Sequence, residues 1–234
     1  MAKVQLEYSV IPSTKAPEIS DFLLKNFFPN EPISRALGLP INQVSRWFPS
    51  QVSDCLQQEA SIYAVDKKTG ETVGVAINII VQKTLQSTQS KDGDGEKEGR
   101  GLLEILDPKT ESVMVDIAKF LGILNQTPDI AYRKHVPDSI NSFSSFNCIY
   151  LAVLPTYGGL GIGKRLVDES LIVAKQKGIT LCQVDTTSEF SYRIFHKHCG
   201  YEVIREIELS SHIPKIQEID SGMHKKGRIL LKKL

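Results

Sequence analysis

Runs of alternating or β-branched apolar residues mark strands at residues 4–11, 61–65, 71–81, 146–153, 179–184, 201–209 and 227–231. Between them the apolar residues fall at helical spacing. Ile19, Phe22, Leu23 and Phe27 give a helix over 17–28, and Val44, Trp47, Phe48, Val52, Cys55 and Leu56 give one over 41–58 that Pro49 should bend. Asp107-Pro108 reads as an N-cap followed by proline at the first helical position, ahead of a helix through Val113, Ile117, Phe120, Leu121 and Leu124. Ile162, Leu166, Val167, Leu171 and Val173 predict a helix over 162–177 that Gly178 closes, and residues 189–198 predict a shorter one. A turn at 66–70 joins two strands as a hairpin. Residues 86–101 contain no apolar side chain and are expected to be a disordered insert. The order of elements predicts an α/β fold built on one mixed sheet, with residues 1–234 as a single domain.

Bulk properties change this picture little. A chain of 234 residues can bury a full core, and 41% hydrophobic with 24% charged residues is ordinary for a globular protein. A net charge of +1 gives no broad attraction to nucleic acid. No apolar window is long enough for a membrane span, and the first residues lack the pattern of a signal peptide. Cys55, Cys148, Cys182 and Cys199 form no C-x-x-C pair and are expected to be reduced structural thiols in a cytoplasmic protein. His196 and His198 would fall on different faces of a helix, so no metal site is expected.

The candidate chemistry begins at residues 157–166, which run Tyr-Gly-Gly-Leu-Gly-Ile-Gly-Lys-Arg-Leu between a strand and a helix. Such a junction exposes backbone N–H groups at a helix start, where the dipole adds partial positive charge, and suits a phosphate or pyrophosphate. Gly158-x-x-x-x-Gly163-Lys164 approaches the P-loop signature, but Arg165 stands where a magnesium-binding Ser or Thr is needed. The dinucleotide pattern fails as well, because Lys164 occupies the place of its last glycine.

The run from Ala152-Val153-Leu154-Pro155 through Leu166 resembles the strand, loop and helix that bind acetyl-coenzyme A in the GNAT superfamily of N-acyltransferases, with its R/Q-x-x-G-x-G/A pattern. Gly161 and Gly163 match the two small positions, while Gly158 replaces the usual Arg or Gln. Residues 195–202 resemble the closing helix and final strand start of the same superfamily. The resemblance implies a splayed central sheet, acetyl-CoA as co-substrate, and a cofactor site built from Ala152, Val153, Leu160, Gly161, Ile162, Gly163 and Lys164. It further implies that a backbone N–H near Val153 or Leu154 polarises the thioester, with direct transfer and no acyl-enzyme.

Phe27-Phe28-Pro29-Asn30-Glu31-Pro32-Ile33 resembles a motif of invertebrate-type arylalkylamine N-acetyltransferases, and residues 186–191 resemble that family's Ser/Thr-rich turn. This similarity implies an arylalkylamine substrate such as dopamine, serotonin, tyramine or tryptamine. It implies Glu31 as general base, with the hydroxyls of Thr187 and Ser191 near cofactor and thiol. A base is needed because only a neutral amine attacks a thioester. The superfamily's acidic tyrosine position is occupied by His196, which can serve as the acid instead. A polyamine or amino-acid-derived amine, or non-catalytic acyl-CoA binding, remains open at this level.

Overall fold

A computed structural model describes residues 4–85 and 98–234, with the side chains of 98–101 also outside the described set. Most of the insert expected at 86–101 therefore lies outside the described residues. The elements run β1 (Leu6–Val10), α1 (Ala16–Asn26), α2 (Pro32–Leu37), α3 (Asn42–Ser45), α4 (Phe48–Gln57), β2 (Ile62–Asp66) and β3 (Thr72–Thr84). They continue as α5 (Glu98–Ile105), α6 (Ser112–Leu124), α7 (Asp129–Arg133), β4 (Ser142–Val153), α8 (Ile162–Gln176) and β5 (Leu181–Thr186). Then follow α9 (Glu189–Tyr192), a π-helical turn (Arg193–His198), β6 (Glu202–Glu208) and β7 (Lys226–Lys233).

Among the described residues the strands form one seven-stranded sheet in the order β1-β2-β3-β4-β5-β7-β6. Every pairing is antiparallel except that of β4 with β5. That parallel pair needs a crossover, and α8 supplies it. One face of the sheet packs against α8 through Ile162, Leu166 and Val167, together with Phe195 of the π turn. The other face packs against α1, α4 and α6 through Ile19, Leu23, Val52, Leu56, Ile117 and Phe120. The helices follow the apolar stripes of the sequence, since each buries its hydrophobic face on the sheet.

Three boundaries differ from expectation. The stretch at 41–58 is two helices, and the break falls before Pro49, which sits in the first turn of α4, where its missing N–H is harmless. Asp107 does not begin a helix: its carboxylate accepts from Lys109 N–H and the Thr110 hydroxyl in a turn. Helix α6 starts only at Ser112. The proline-marked helix start that pattern reading missed is at Glu31-Pro32, where Glu31 caps α2.

Two features of β4 prepare the site. Ile77 pairs with Tyr150 and Asn78 with Cys148, so Ile149 is an extra residue, a β-bulge. Cys148 is also the last residue of β4 that pairs with β5, opposite Val184. A bulge bends its strand, and β4 leaves β5 at this point while β5 stays paired to β7 through Thr186. The splay implied by the glycine-loop resemblance is thus present, and the bulge is its local cause.

Candidate active site

The site forms around that splay. In an antiparallel strand, successive N–H groups point to opposite sides. Leu154 N–H donates to the Val73 carbonyl at 2.9 Å, toward β3. Leu154 is therefore spent, and the N–H of Val153, together with that of Leu151, points to the side where β5 has departed. Of the two positions expected to face a thioester, the pairing leaves Val153. Ala152 is buried and pairs with Val75.

The glycine loop closes one end of the gap. Gly161 is the N-cap of α8 with φ 73°, a left-handed conformation that glycine adopts without strain. No side chain caps this helix, and the first amide it bonds internally is Arg165 N–H, to Gly161 O at 3.0 Å. The N–H groups of Ile162, Gly163 and Lys164 thus have no intrahelical acceptor, and Leu160 lies exposed just before them. The Lys164 ammonium turns along the helix to Asp168 at 2.6 Å, so Lys164 offers the loop its amide rather than its charge. Gly163 is small for a packing reason as well: a Cβ there would stand 2.9 Å from Ile194 Cδ1 of the π turn.

Glu31 stands across the splay. Its Oε1 accepts from Ile33 N–H at 3.1 Å and its Oε2 from Ser34 N–H at 2.7 Å and the Ser34 hydroxyl at 2.8 Å. The Thr187 hydroxyl, just past β5, donates to Oε1 at 2.8 Å. The carboxylate is fixed on both sides: by its own helix and by the strand that borders the gap. Behind it Phe27, Phe28, Phe48 and Tyr150 pack edge to face, with Phe28 and Phe48 centroids 5.0 Å apart. Burial pushes the Tyr150 hydroxyl above its usual range, so it stays protonated and donates to Gln51 Oε1 at 2.7 Å.

A cavity of about 260 Å³ opens from Glu31 between α6 and the sheet. Phe28, Ile33, Met114, Ile117, Leu121 and Ile149 form its apolar walls, and Asn147, Gln183 and Asp185 are among its polar groups. Cys148 also lines it, but burial pushes that thiol up to about 12, leaving it neutral near pH 7 and a poor nucleophile. Among the described residues no group of three or more His, Cys, Asp or Glu is placed to hold a metal. No helix among them is long and apolar enough to cross a membrane.

Residues 124–203, which hold the bulge, the gap and the glycine loop, match the acetyltransferase (GNAT) domain family. That stretch, about a third of the chain, is a GNAT acetyltransferase domain, and its class is that of acetyl-CoA-dependent acyltransferases. Among solved structures, arylalkylamine N-acetyltransferase 2 from Aedes aegypti aligns over 98% of this chain and 99% of its own, with a TM-score of 0.73 and 21% identity. A Drosophila melanogaster polyamine N-acetyltransferase, described as catalysing formation of N-acetylagmatine, aligns over 98% of this chain and 100% of its own, with a TM-score of 0.70 and 17% identity. The C-terminal condensation domain of Ebony, in complex with β-alanyl-dopamine, aligns over 99% of this chain and 100% of its own, at 0.68 and 13%. At these identities the likeness is one of fold. No curated protein matches the chain by sequence.

Of the residues singled out in the sequence, the fold brings Glu31 and Thr187 into direct contact. Ser191 and His196 do not line the cavity. The Ser191 hydroxyl donates to Ser188 O at 2.9 Å, on the arm that follows β5. His196 stacks on Tyr192, ring centroids 5.0 Å apart, and its Nδ1 lies 2.7 Å from the Tyr201 carbonyl. A carbonyl only accepts, so Nδ1 carries the proton and Nε2 is the nitrogen left for chemistry.

Pattern reading missed a brace behind the site. Arg35, one turn after Glu31, donates to Asp220 at 2.7 Å, and the buried His224 meets the same carboxylate through Nε2 at 3.0 Å. His224 Nδ1 accepts from Glu189 N–H at 3.1 Å, which ties α2 to the start of α9. The His224 and Arg35 bonds hold the Asp220 carboxyl below its usual range. Asp220 and Ser221 take positive φ angles of 49° and 56°, a strained turn that this brace retains.

The Thr187 contact is testable alone. Thr187→Val keeps the shape and removes the donor. A hydrogen bond to a charged group contributes about 1.5–3 kcal/mol, so kcat is expected to fall roughly 10–100-fold with acetyl-CoA affinity little changed. An equal loss of cofactor affinity, measured by calorimetry, would instead place Thr187 on the cofactor.

Proposed function

We propose that this acetyltransferase moves the acetyl group of acetyl-CoA to the primary amine of an arylalkylamine, by direct attack in a ternary complex. The observation that carries this reading is the Glu31 carboxylate at the head of an aromatic- and aliphatic-walled cavity that reaches the β4–β5 splay. The N–H groups from Leu160 to Lys164 hold the pyrophosphate, and the pantetheine arm lies along the gap. Val153 N–H faces the thioester oxygen, where negative charge grows as the carbonyl becomes tetrahedral.

The substrate enters as an ammonium ion. Glu31 takes its proton, directly or through a water molecule, and the freed lone pair forms the N–C bond. The tetrahedral adduct then collapses: its nitrogen gives up a second proton to solvent, the C–S bond breaks with its electron pair on sulfur, and the thiolate takes up a proton. Ser191, and His196 Nε2 when the ring is in its doubly protonated form, are the candidate donors for that last step, on the arm beyond β5. Thr187 keeps Glu31 turned toward the amine. The neutral Cys148 thiol favours direct transfer over an acyl-cysteine.

The test is coenzyme A release across tyramine, dopamine, serotonin, tryptamine, spermidine and amino acids, with the N-acetyl product identified by mass. The aromatic amines are expected to give the largest kcat/KM. Coenzyme A binding without release for any amine would overturn the enzymatic reading. Release with spermidine alone would overturn the arylalkylamine reading.

A further inference from the structure

The cavity holds a hydrogen-bond donor that acetyl transfer itself does not use. Gln51 lies on α4 three residues after Phe48, so the two share a helix face. It is half-buried and lines the cavity together with Phe27, Phe28 and Tyr150. The Tyr150 ring meets those of Phe27 and Phe48 edge to face, at centroid distances of 5.1 and 5.3 Å. Glu31 is joined to this aromatic wall by its own backbone, since its N–H donates to the Phe27 carbonyl at 2.9 Å. An amine nitrogen at Glu31 therefore has aromatic side chains beside it, and Gln51 is the amide set among them.

The orientation of that amide is fixed. Burial keeps the Tyr150 hydroxyl protonated, and Gln51 Oε1 is the acceptor that the fold gives its hydrogen, at 2.7 Å. The amide oxygen thus faces Tyr150 and the nitrogen is turned away. Among the described residues Gln51 Nε2 has no acceptor, so its two hydrogens are left for whatever enters the cavity. A ring that fills the cavity displaces the water that would solvate them. A bare hydrocarbon edge then leaves the amide unpaired, which costs binding, whereas an oxygen on the ring restores the bond. A distal ammonium does not restore it, because an ammonium only donates.

We infer that Gln51 selects arylalkylamines whose ring carries an oxygen, by donating an amide hydrogen to that oxygen. This rests on the arylalkylamine reading and narrows it to phenolic or hydroxyindole amines over their hydrocarbon counterparts.

Pairs matched in size test it: tyramine against 4-methylphenethylamine, and serotonin against 5-methyltryptamine, each measured as a kcat/KM ratio. The wild-type enzyme is expected to favour the oxygen-bearing member of at least one pair by about tenfold or more. A preference below about threefold in both pairs would overturn the inference without need of any variant. Gln51→Met keeps the length and removes the donor, and the double variant Gln51→Met with Tyr150→Phe also avoids stranding the Tyr150 hydroxyl. In both, the ratio is expected to fall close to one through loss on the oxygen-bearing member. A double variant that keeps the wild-type ratio, or that loses rate by one common factor on both members, would remove Gln51 from substrate selection. Failure of the arylalkylamine reading looks different: spermidine or agmatine would release coenzyme A while no aromatic amine does, and the inference would fall with it.

Discussion

Glu31→Gln is expected to lower kcat by about 10²–10⁴-fold at neutral pH, the usual contribution of a positioned general base. The substitution keeps the size of the side chain and an oxygen for the N-terminal amides of α2. It removes the proposed acceptor of the ammonium proton and weakens the grip of Ser34 and Thr187, both of which now donate to a full charge. Two controls distinguish chemistry from folding. Loss of an N-cap costs about 0.5–2 kcal/mol, so a modest fall in melting temperature is compatible with an intact site. In the variant, kcat/KM should climb about tenfold per pH unit below the pKa of the free amine, because solvent then supplies the neutral nucleophile that Glu31 no longer makes. A variant with wild-type kcat and the wild-type pH profile would remove Glu31 from the mechanism and leave it as the cap of a short helix.

That double nature explains what could and could not be read from the residues alone. Glu31-Pro32 and Asp107-Pro108 carry the same local signal, a carboxylate before a proline. Asp is the better cap by propensity, and its pattern predicts a helix start at Asp107. The structure reverses the assignment. Asp107 spends its carboxylate on a turn, and Glu31, with a longer side chain, reaches the N–H groups of Ile33 and Ser34. The strands and most of the long helices were legible because burial of one face imposes a period on the sequence. The bulge at Ile149 was not, since an extra residue in the apolar run that follows Asn147 changes no pattern. The glycine loop was legible because left-handed backbone admits few residues besides glycine. Gln51 escaped notice because a single amide on a helix has no signature until Tyr150 is brought against it.

Gly161→Val should produce the second large effect, and it should fall on the cofactor rather than on the amine. At φ 73° a β-branched residue is a genuine outlier, and the left-handed conformation costs an ordinary residue roughly 1–2 kcal/mol. Nothing stands within 4 Å of a Cβ at this position, so the penalty is one of backbone strain and not of collision. The chain can relieve it only by turning the Gly161 peptide, and that turn re-aims the N–H groups of Ile162, Gly163 and Lys164. Each amide that no longer meets the pyrophosphate loses a charge-assisted bond, so the Kd for coenzyme A and the KM for acetyl-CoA are expected to rise about 10–100-fold. The melting temperature should fall by roughly 2–8 °C, as 1–2 kcal/mol does in a chain of this size. At saturating acetyl-CoA, kcat should recover most of its value, because Glu31, Thr187 and Val153 lie on other segments. Gly159→Val is the comparison: φ there is 76°, with the same strain, but it lies two residues before the cap and outside the first helical turn. If both variants lose stability equally while only Gly161→Val loses coenzyme A affinity, the anion site belongs to the amides of the α8 N-terminus. If coenzyme A affinity survives in both, the pyrophosphate is held elsewhere.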